Sequence, residues 1–296
     1  YYIMKNIIKY NGLIDAIVVN RPSKTNKSPY LIDIKINGKI EMCHSPGLGL
    51  SGLIRPGVKI KVLPVECNGK SKRCSKYTVE KVLVEEKEIR GNKTWLGSNP
   101  IRANLILFNT IKKQIFERLK DVTITNQEYT IGSSRLDFRG HDIKGNEVFI
   151  EVKNVVVADY HISTAPRDRK IFYTDIEKKN YKRIGVFPDG KTKPGSTIVS
   201  PRAYKHLFEL EKISKRNKKR AILIFILQRS DCTAFVPNFV KDPTYSNKLY
   251  DLINNSKVEV YVLSYKWRKD TLYFCKELPI LDLSLIHISE PTRQLC

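Results

Sequence analysis

The chain has 296 residues, 41% of them hydrophobic and 28% charged, a composition that excludes a disordered polymer and supplies apolar material for one large or two medium domains. Its 53 lysines and arginines stand against 30 aspartates and glutamates, a formal net charge of +23, which favours polyanionic partners through phosphate neutralisation and counterion release. Lysine-rich composition also follows from nucleotide bias, but such bias does not by itself suppress Asp and Glu. The longest apolar run, Ala221 to Leu227, is strand-sized rather than bilayer-sized.

In chain order, the N-terminal residues show neither an apolar signal region nor a small-residue cleavage site, so a cytoplasmic protein without a membrane partner is expected. Strand candidates follow at 13–19, 30–36, 39–43, 58–65 and 77–84, punctuated by Gly38, Pro46, Gly47, Gly52, Pro56 and Gly57. About five such strands with loop-rich connections suit a small barrel of OB type, expected over residues 1–98. Lys70, Lys72, Arg73 and Lys76 cluster on one of its turns, either as a phosphate-contacting edge or as a solvated loop. The six cysteines, Cys43, Cys67, Cys74, Cys232, Cys275 and Cys296, form no CxxC pair and read as reduced thiols rather than a zinc site.

Near Gly97 to Pro100 the periodicity becomes helical: Leu105, Phe108, Ile111, Ile115, Phe116 and Leu119 predict a helix over 103–119, with Ser98 or Asn99 able to cap it. Strands near 127–131, 134–140 and 147–157 come next, then a helix over 201–215, the continuous apolar strand 221–227, a helix over 243–254 and a strand over 258–264. Between them, Arg167, Arg169 and Lys170 lie among Phe172, Tyr173 and Tyr181. Basic residues interleaved with aromatics can track a backbone and stack bases, or form a lysine-solvated loop.

The chemistry concentrates at Asp137 and at Glu151-Val152-Lys153. The period of two puts Glu151 and Lys153 on one face of their strand. Two carboxylates beside an ammonium suit Mg²⁺ or Mn²⁺ and an activated water, as phosphodiester hydrolysis requires. The strand is flanked by apolar residues, so its charges need a metal or each other; a cross-strand ion pair is the plain alternative. Glu128 offers a third carboxylate, Arg135 shares the face of Asp137 and can hold a phosphate, and His206 and Glu209 on the helix are further candidates, with a structural role open for the histidine.

Several stretches resemble the SfsA (sugar fermentation stimulation) family across nearly all of residues 7–265. They are Glu128 through Gly132-Ser133-Ser134-Arg135-Leu136-Asp137-Phe138, Glu151-Val152-Lys153-Asn154-Val155, Phe187-Pro188-Asp189, Lys205-His206-Leu207-Phe208-Glu209-Leu210 and Asp242-Pro243-Thr244-Tyr245. His44-Ser45-Pro46-Gly47-Leu48-Gly49 departs from the family's His-Cys-Pro-Asn-Thr-Gly loop, and 191–199 reads as an insertion. The resemblance implies an OB-like barrel followed, over 99–283, by a restriction-endonuclease-like α/β domain with a mixed sheet and a PD-(D/E)xK site, Asp137 and Glu151 holding the metal and Lys153 acting on the water. It implies DNA or RNA as partner, and either a metal-dependent nuclease or a non-catalytic DNA-binding regulator. Residues 284–296 break the preceding pattern and are set aside as a non-native or disordered tail.

Overall fold

The structure, a computed structural model, describes residues 5–47, 50, 52–65, 75–86, 92–131, 134–158, 183–190 and 195–281. Lys70, Lys72, Arg73, Arg167, Arg169 and Lys170, three of the cysteines and the tail lie outside the described residues.

Strands β2 (Ile14–Asn20), β3 (Leu31–Ile36), β4 (Lys39–His44), β5 (Lys59–Pro64) and β6 (Tyr77–Glu86) form a ring in the order β4-β3-β2-β5-β6, closed by a short parallel β4–β6 pairing at Cys43–Tyr77 and His44–Thr78. This is the expected OB-like barrel. The alternation of each strand sends Val18, Ile32, Ile34, Ile60, Val62, Val79 and Val82 inward, where they make a core of their own. A further strand, β7 (Asn92–Gly97), extends the sheet beyond β6.

The second sheet has the order β1-β15-β14-β12-β10-β9-β8. Its members are β1 (Asn6–Lys9), β8 (Val122–Ile131), β9 (Ser134–Asp142), β10 (Glu147–Val155), β12 (Lys219–Leu227), β14 (Glu259–Arg268) and β15 (Thr271–Glu277). The central β10, β12 and β14 run parallel and the flanking pairs antiparallel, so the sheet is mixed, as expected. Helix α1 (Arg102–Lys112) covers one face; α2 (Pro201–Ser214) and α3 (Pro243–Asn255), the crossovers of the parallel strands, cover the other. Apolar residues on both faces of β12 are buried, which explains its continuous hydrophobic run. Strands β11 (Arg183–Phe187) and β13 (Cys232–Pro237) form a small separate parallel pair.

Two sequence expectations need correcting. The division at residue 98 assigns the whole N-terminus to the barrel, yet β1 pairs with β15, and Ile7 packs in the α1-side core. A four-residue strand carries too little pattern to reveal which sheet edge it completes. The expected helix over 103–119 stops at Lys112, and Gln114 has a φ of +50°. Phe116 and Leu119 still reach the α1-side core, Leu119 from a separate short 3-10 turn at Glu117–Leu119; the apolar spacing is kept although the α-helix is interrupted. No helix among the described residues is long and apolar enough to cross a membrane.

The barrel is fastened to the sheet through β6. Lys81 is fully buried; its ammonium donates to the Lys269 carbonyl and lies 5.0 Å from the Trp95 ring centre and 4.7 Å from that of Trp267. Gly97 donates to the Gln228 carbonyl at 2.9 Å, and a Cβ there would come within 2.0 Å of the Gln228 side chain. Burial lowers the Lys81 pKa from 10.5 to about 8. Between those values the unfolded chain binds the extra proton, so Lys81 makes stability rise with pH across that interval. Denaturant titrations of wild type and Lys81→Met at neutral and alkaline pH should show the wild type gaining on the variant above about pH 8; parallel pH profiles would contradict this.

Candidate active site

The ladder between β9 and β10 ends at the Phe138–Ile150 pair. Where the strands part, the Asp137 side chain takes over the bonding: one carboxylate oxygen accepts from the Val152 N–H at 2.7 Å, the other from the Asn104 amide on α1 at 2.8 Å. Burial and the nearby charge of Glu151 raise the Asp137 pKa, against the pull of these two donors and of Lys153.

Glu151 sits mid-strand in β10, 2% exposed. Burial alone would push its pKa up. The hydrogen bond from His206 and the charge of Lys153 outweigh that, so the carboxyl is held below its ordinary value and stays ionised. Both partners converge on one oxygen: Lys153 pairs with Oε1, and His206 Nδ1 lies 2.5 Å from it. With Nδ1 donating to the carboxylate, the 3.5 Å approach of Lys153 to that nitrogen is a contact rather than a hydrogen bond. The other oxygen, Oε2, is buried with no hydrogen-bond partner among the described residues.

His206 reaches this point because α2 buries Ala203, His206, Leu207, Leu210 and Ile213 along one stripe. Ser200 caps the helix by accepting from the Ala203 N–H. Asp242 likewise caps α3, accepting from the Tyr245 N–H at 2.8 Å and from the Val199 N–H at 2.7 Å. Tyr245 is fully buried beneath this region; burial, and then the charges of Glu151 and Asp242, push its phenol well above the ordinary pKa.

The structure thus gathers Asp137, Glu151, Lys153 and His206. It does not bring in the others. Glu128 has a φ of +56° and an exposed side chain paired with Arg135, itself 57% exposed. Glu209, 18% exposed, pairs with Lys212 at 3.5 Å along α2. Lys76, the described member of the basic turn, is 71% exposed and pairs with Glu41 at 3.3 Å. Asn104 is the contact that sequence reading missed; it lies on the buried-helix pattern 103–119, and nothing in that pattern separates an amide reaching Asp137 from a solvated one.

A family model described as the sugar fermentation stimulation protein RE domain matches residues 101–271. The chain belongs to the SfsA family. A homologue from Prochlorococcus marinus is 28% identical over 258 residues, 84% of this chain and 87% of that protein. Another, from Bartonella quintana, is 30% identical over 237 residues, 79% of this chain and 84% of its own length. The structure of Pyrococcus furiosus SfsA in complex with Ca²⁺ superposes with a TM-score of 0.70 at 19% identity, covering 94% of this chain and all of that one. The SfsA fold therefore extends over the barrel as well as the matched domain.

Asp137→Asn removes a charge that burial and Glu151 disfavour. An asparagine oxygen still accepts from the Val152 N–H, and the Asn104 amide can turn to present its oxygen. Without added metal the variant should be at least as stable as wild type at neutral pH. Because the folded pKa is raised, the wild-type penalty disappears as acid protonates Asp137, so the difference in Tm should shrink as pH falls. A variant less stable at neutral pH than at acid pH, relative to wild type, would contradict this.

Proposed function

We propose that this SfsA chain is a nucleic-acid-binding protein with metal-dependent phosphodiesterase activity. The observation that carries the reading is the buried, ionised Glu151 carboxylate whose Oε2 has no hydrogen-bond partner among the described residues, close to a second carboxylate, Asp137, whose charge it disfavours. Buried acceptors without a partner are rare in folded proteins, and carboxylate oxygens are the donors that Mg²⁺ and Mn²⁺ take. The residues fit the cation: Asp137 and Glu151 would hold it. Bound there, a divalent ion supplies a lowered pKa for its water and neutralises charge developing on the phosphate.

The chain's own residues do the rest. His206 pins Glu151 by one oxygen, so the other keeps a fixed direction. Asn104 and the Val152 N–H fix the Asp137 carboxylate in the same way. Lys153, 12% exposed, is the cation positioned to orient the attacking water and to stabilise negative charge on the reacting phosphate. The +23 net charge draws the polyanion to the surface. The barrel, continued by the basic turn of the sequence, serves as the binding module in this reading. The Ca²⁺ named with the Pyrococcus furiosus relative agrees with a divalent site in this family.

The deciding experiment incubates purified protein with single- and double-stranded DNA and RNA under a panel of divalent ions. Cleavage should require Mg²⁺ or Mn²⁺, and Lys153→Ala should lower its rate by about a hundredfold or more while nucleic-acid affinity persists. Binding without cleavage under every ion would favour the regulator instead. A second measurement concerns affinity: log K should fall linearly with log salt, by about 0.9 per phosphate neutralised on duplex DNA. A flat salt profile would remove the electrostatic basis of the proposal.

A further inference from the structure

Past the Phe138–Ile150 pair, β10 keeps β12 as its neighbour as far as Val155 but has no ladder on its β9 side among the described residues. This gap lies towards the carboxyl ends of the parallel strands, where open α/β sheets take their ligands. Asp137 closes its inner end by accepting from the Val152 N–H. Asn154 follows Val152 about 7 Å further along the strand and is half-buried. Alternation places it with Val152 on the α1 side, opposite Glu151 and Lys153.

The neighbours of the Asn154 amide settle which way it points. A backbone carbonyl can only accept, so the Asn99 carbonyl, 3.1 Å from the Gln228 amide nitrogen, fixes the orientation of Gln228. The second hydrogen of that nitrogen goes to Asn154 Oδ1 at 2.9 Å. Asn154 is therefore held by its oxygen, and its NH₂ group has no partner among the described residues. Gln228 is itself rigidly placed. It is 1% exposed, its own carbonyl accepts from the Gly97 N–H at 2.9 Å, and it packs against Gly97 too closely for a Cβ there.

A purely structural fastening gives no reason for this arrangement. Both hydrogens of the Gln228 amide are committed, while its Oε1 is buried with no hydrogen-bond partner among the described residues. Such orphaned acceptors are rare enough in folded proteins to need an explanation. A rigid amide that turns two N–H donors towards the gap beside Asp137 supplies one. Donors of this kind contact phosphate oxygens and fix the register of a nucleic acid without reading its bases.

We propose that the Asn154 amide, clamped by Gln228, donates to a phosphate oxygen of a nucleic-acid strand lying in the gap beside Asp137. This deepens the nuclease reading and rests on it for the place of the reacting phosphate. The test titrates the full chain against two fluorescent oligonucleotides of unrelated sequence, in EDTA so that affinity is read without cleavage. Asn154→Asp keeps an oxygen for Gln228 and replaces both donors by an anion. It should weaken both oligonucleotides about tenfold or more, the scale of one hydrogen bond to a charged group, with a cooperative unfolding transition retained. Asn254→Asp, the same change of charge at an exposed position near the end of α3, should weaken them much less. Asn154→Ala should also weaken both alike and leave the slope of log K against log salt unchanged, because the lost donor is neutral; it decides the matter if the aspartate variant does not unfold cooperatively. Wild-type affinity in the Asn154 variants, a loss no larger than that of Asn254→Asp, or a loss confined to one sequence would overturn the contact. Wild-type cleavage, assayed separately with Mn²⁺, keeps the two ideas apart. The expected Asn154 losses without any cleavage uphold the backbone contact and remove the nuclease reading. Cleavage with Asn154 variants that bind like wild type does the reverse.

Discussion

A carboxylate buried in the middle of a sheet has to be kept ionised, and most of the arrangement around β10 serves Glu151 in this respect. An isolated charge there would cost several kcal/mol or would simply take up a proton. Lys153 comes from the same strand, two residues on, and His206 from the crossover helix that packs on that face. Both meet one oxygen. The geometry stabilises the charge and still leaves one carboxylate oxygen without a hydrogen-bond partner among the described residues. In the Arg220 group, for comparison, one guanidinium is shared by hydrogen bonds among three carboxylates, Asp121, Asp142 and Glu259.

The same logic of alternation holds the barrel in place. Glu80 and Lys81 are consecutive on β6 and so project to opposite faces. Glu80 grips the start of α1 through Arg102 and Asn99, and Lys81 reaches the β14–β15 turn through the Lys269 carbonyl and the Trp267 ring. One strand of the barrel therefore touches both the helix that carries Asn104 and the turn between β14 and β15. Both residues are almost wholly buried, so the junction holds two charges away from water among partners from both domains.

Much of the architecture was legible in the sequence. Val and Ile at period two announced the barrel strands, and the continuous apolar run 221–227 announced a strand covered on both sides. Asp137, Glu151 and Lys153 stood out because charged residues interrupt strongly apolar strands. Strands β1, β7, β11, β13 and β15 escaped. All but β15 are short or lie at an edge, where a strand is defined by the backbone of a partner far away in sequence rather than by its own pattern. His206 was visible as a helical residue, but its role depends on a 2.5 Å approach to Glu151 that no local spacing encodes.

The sequence by itself determined the elements, the family resemblance and the identity of the charged residues, because periodicity, turn chemistry and residue type are local properties. Only the tertiary structure decided which carboxylates meet. Asp137 and Glu151 come together because β9 parts from β10 after the Phe138–Ile150 pair, while Glu128, on the neighbouring strand, turns outward to Arg135. It also decided that β1 completes the second sheet. These are matters of long-range pairing, settled by which backbone edges and apolar faces remain to be covered once the local elements exist.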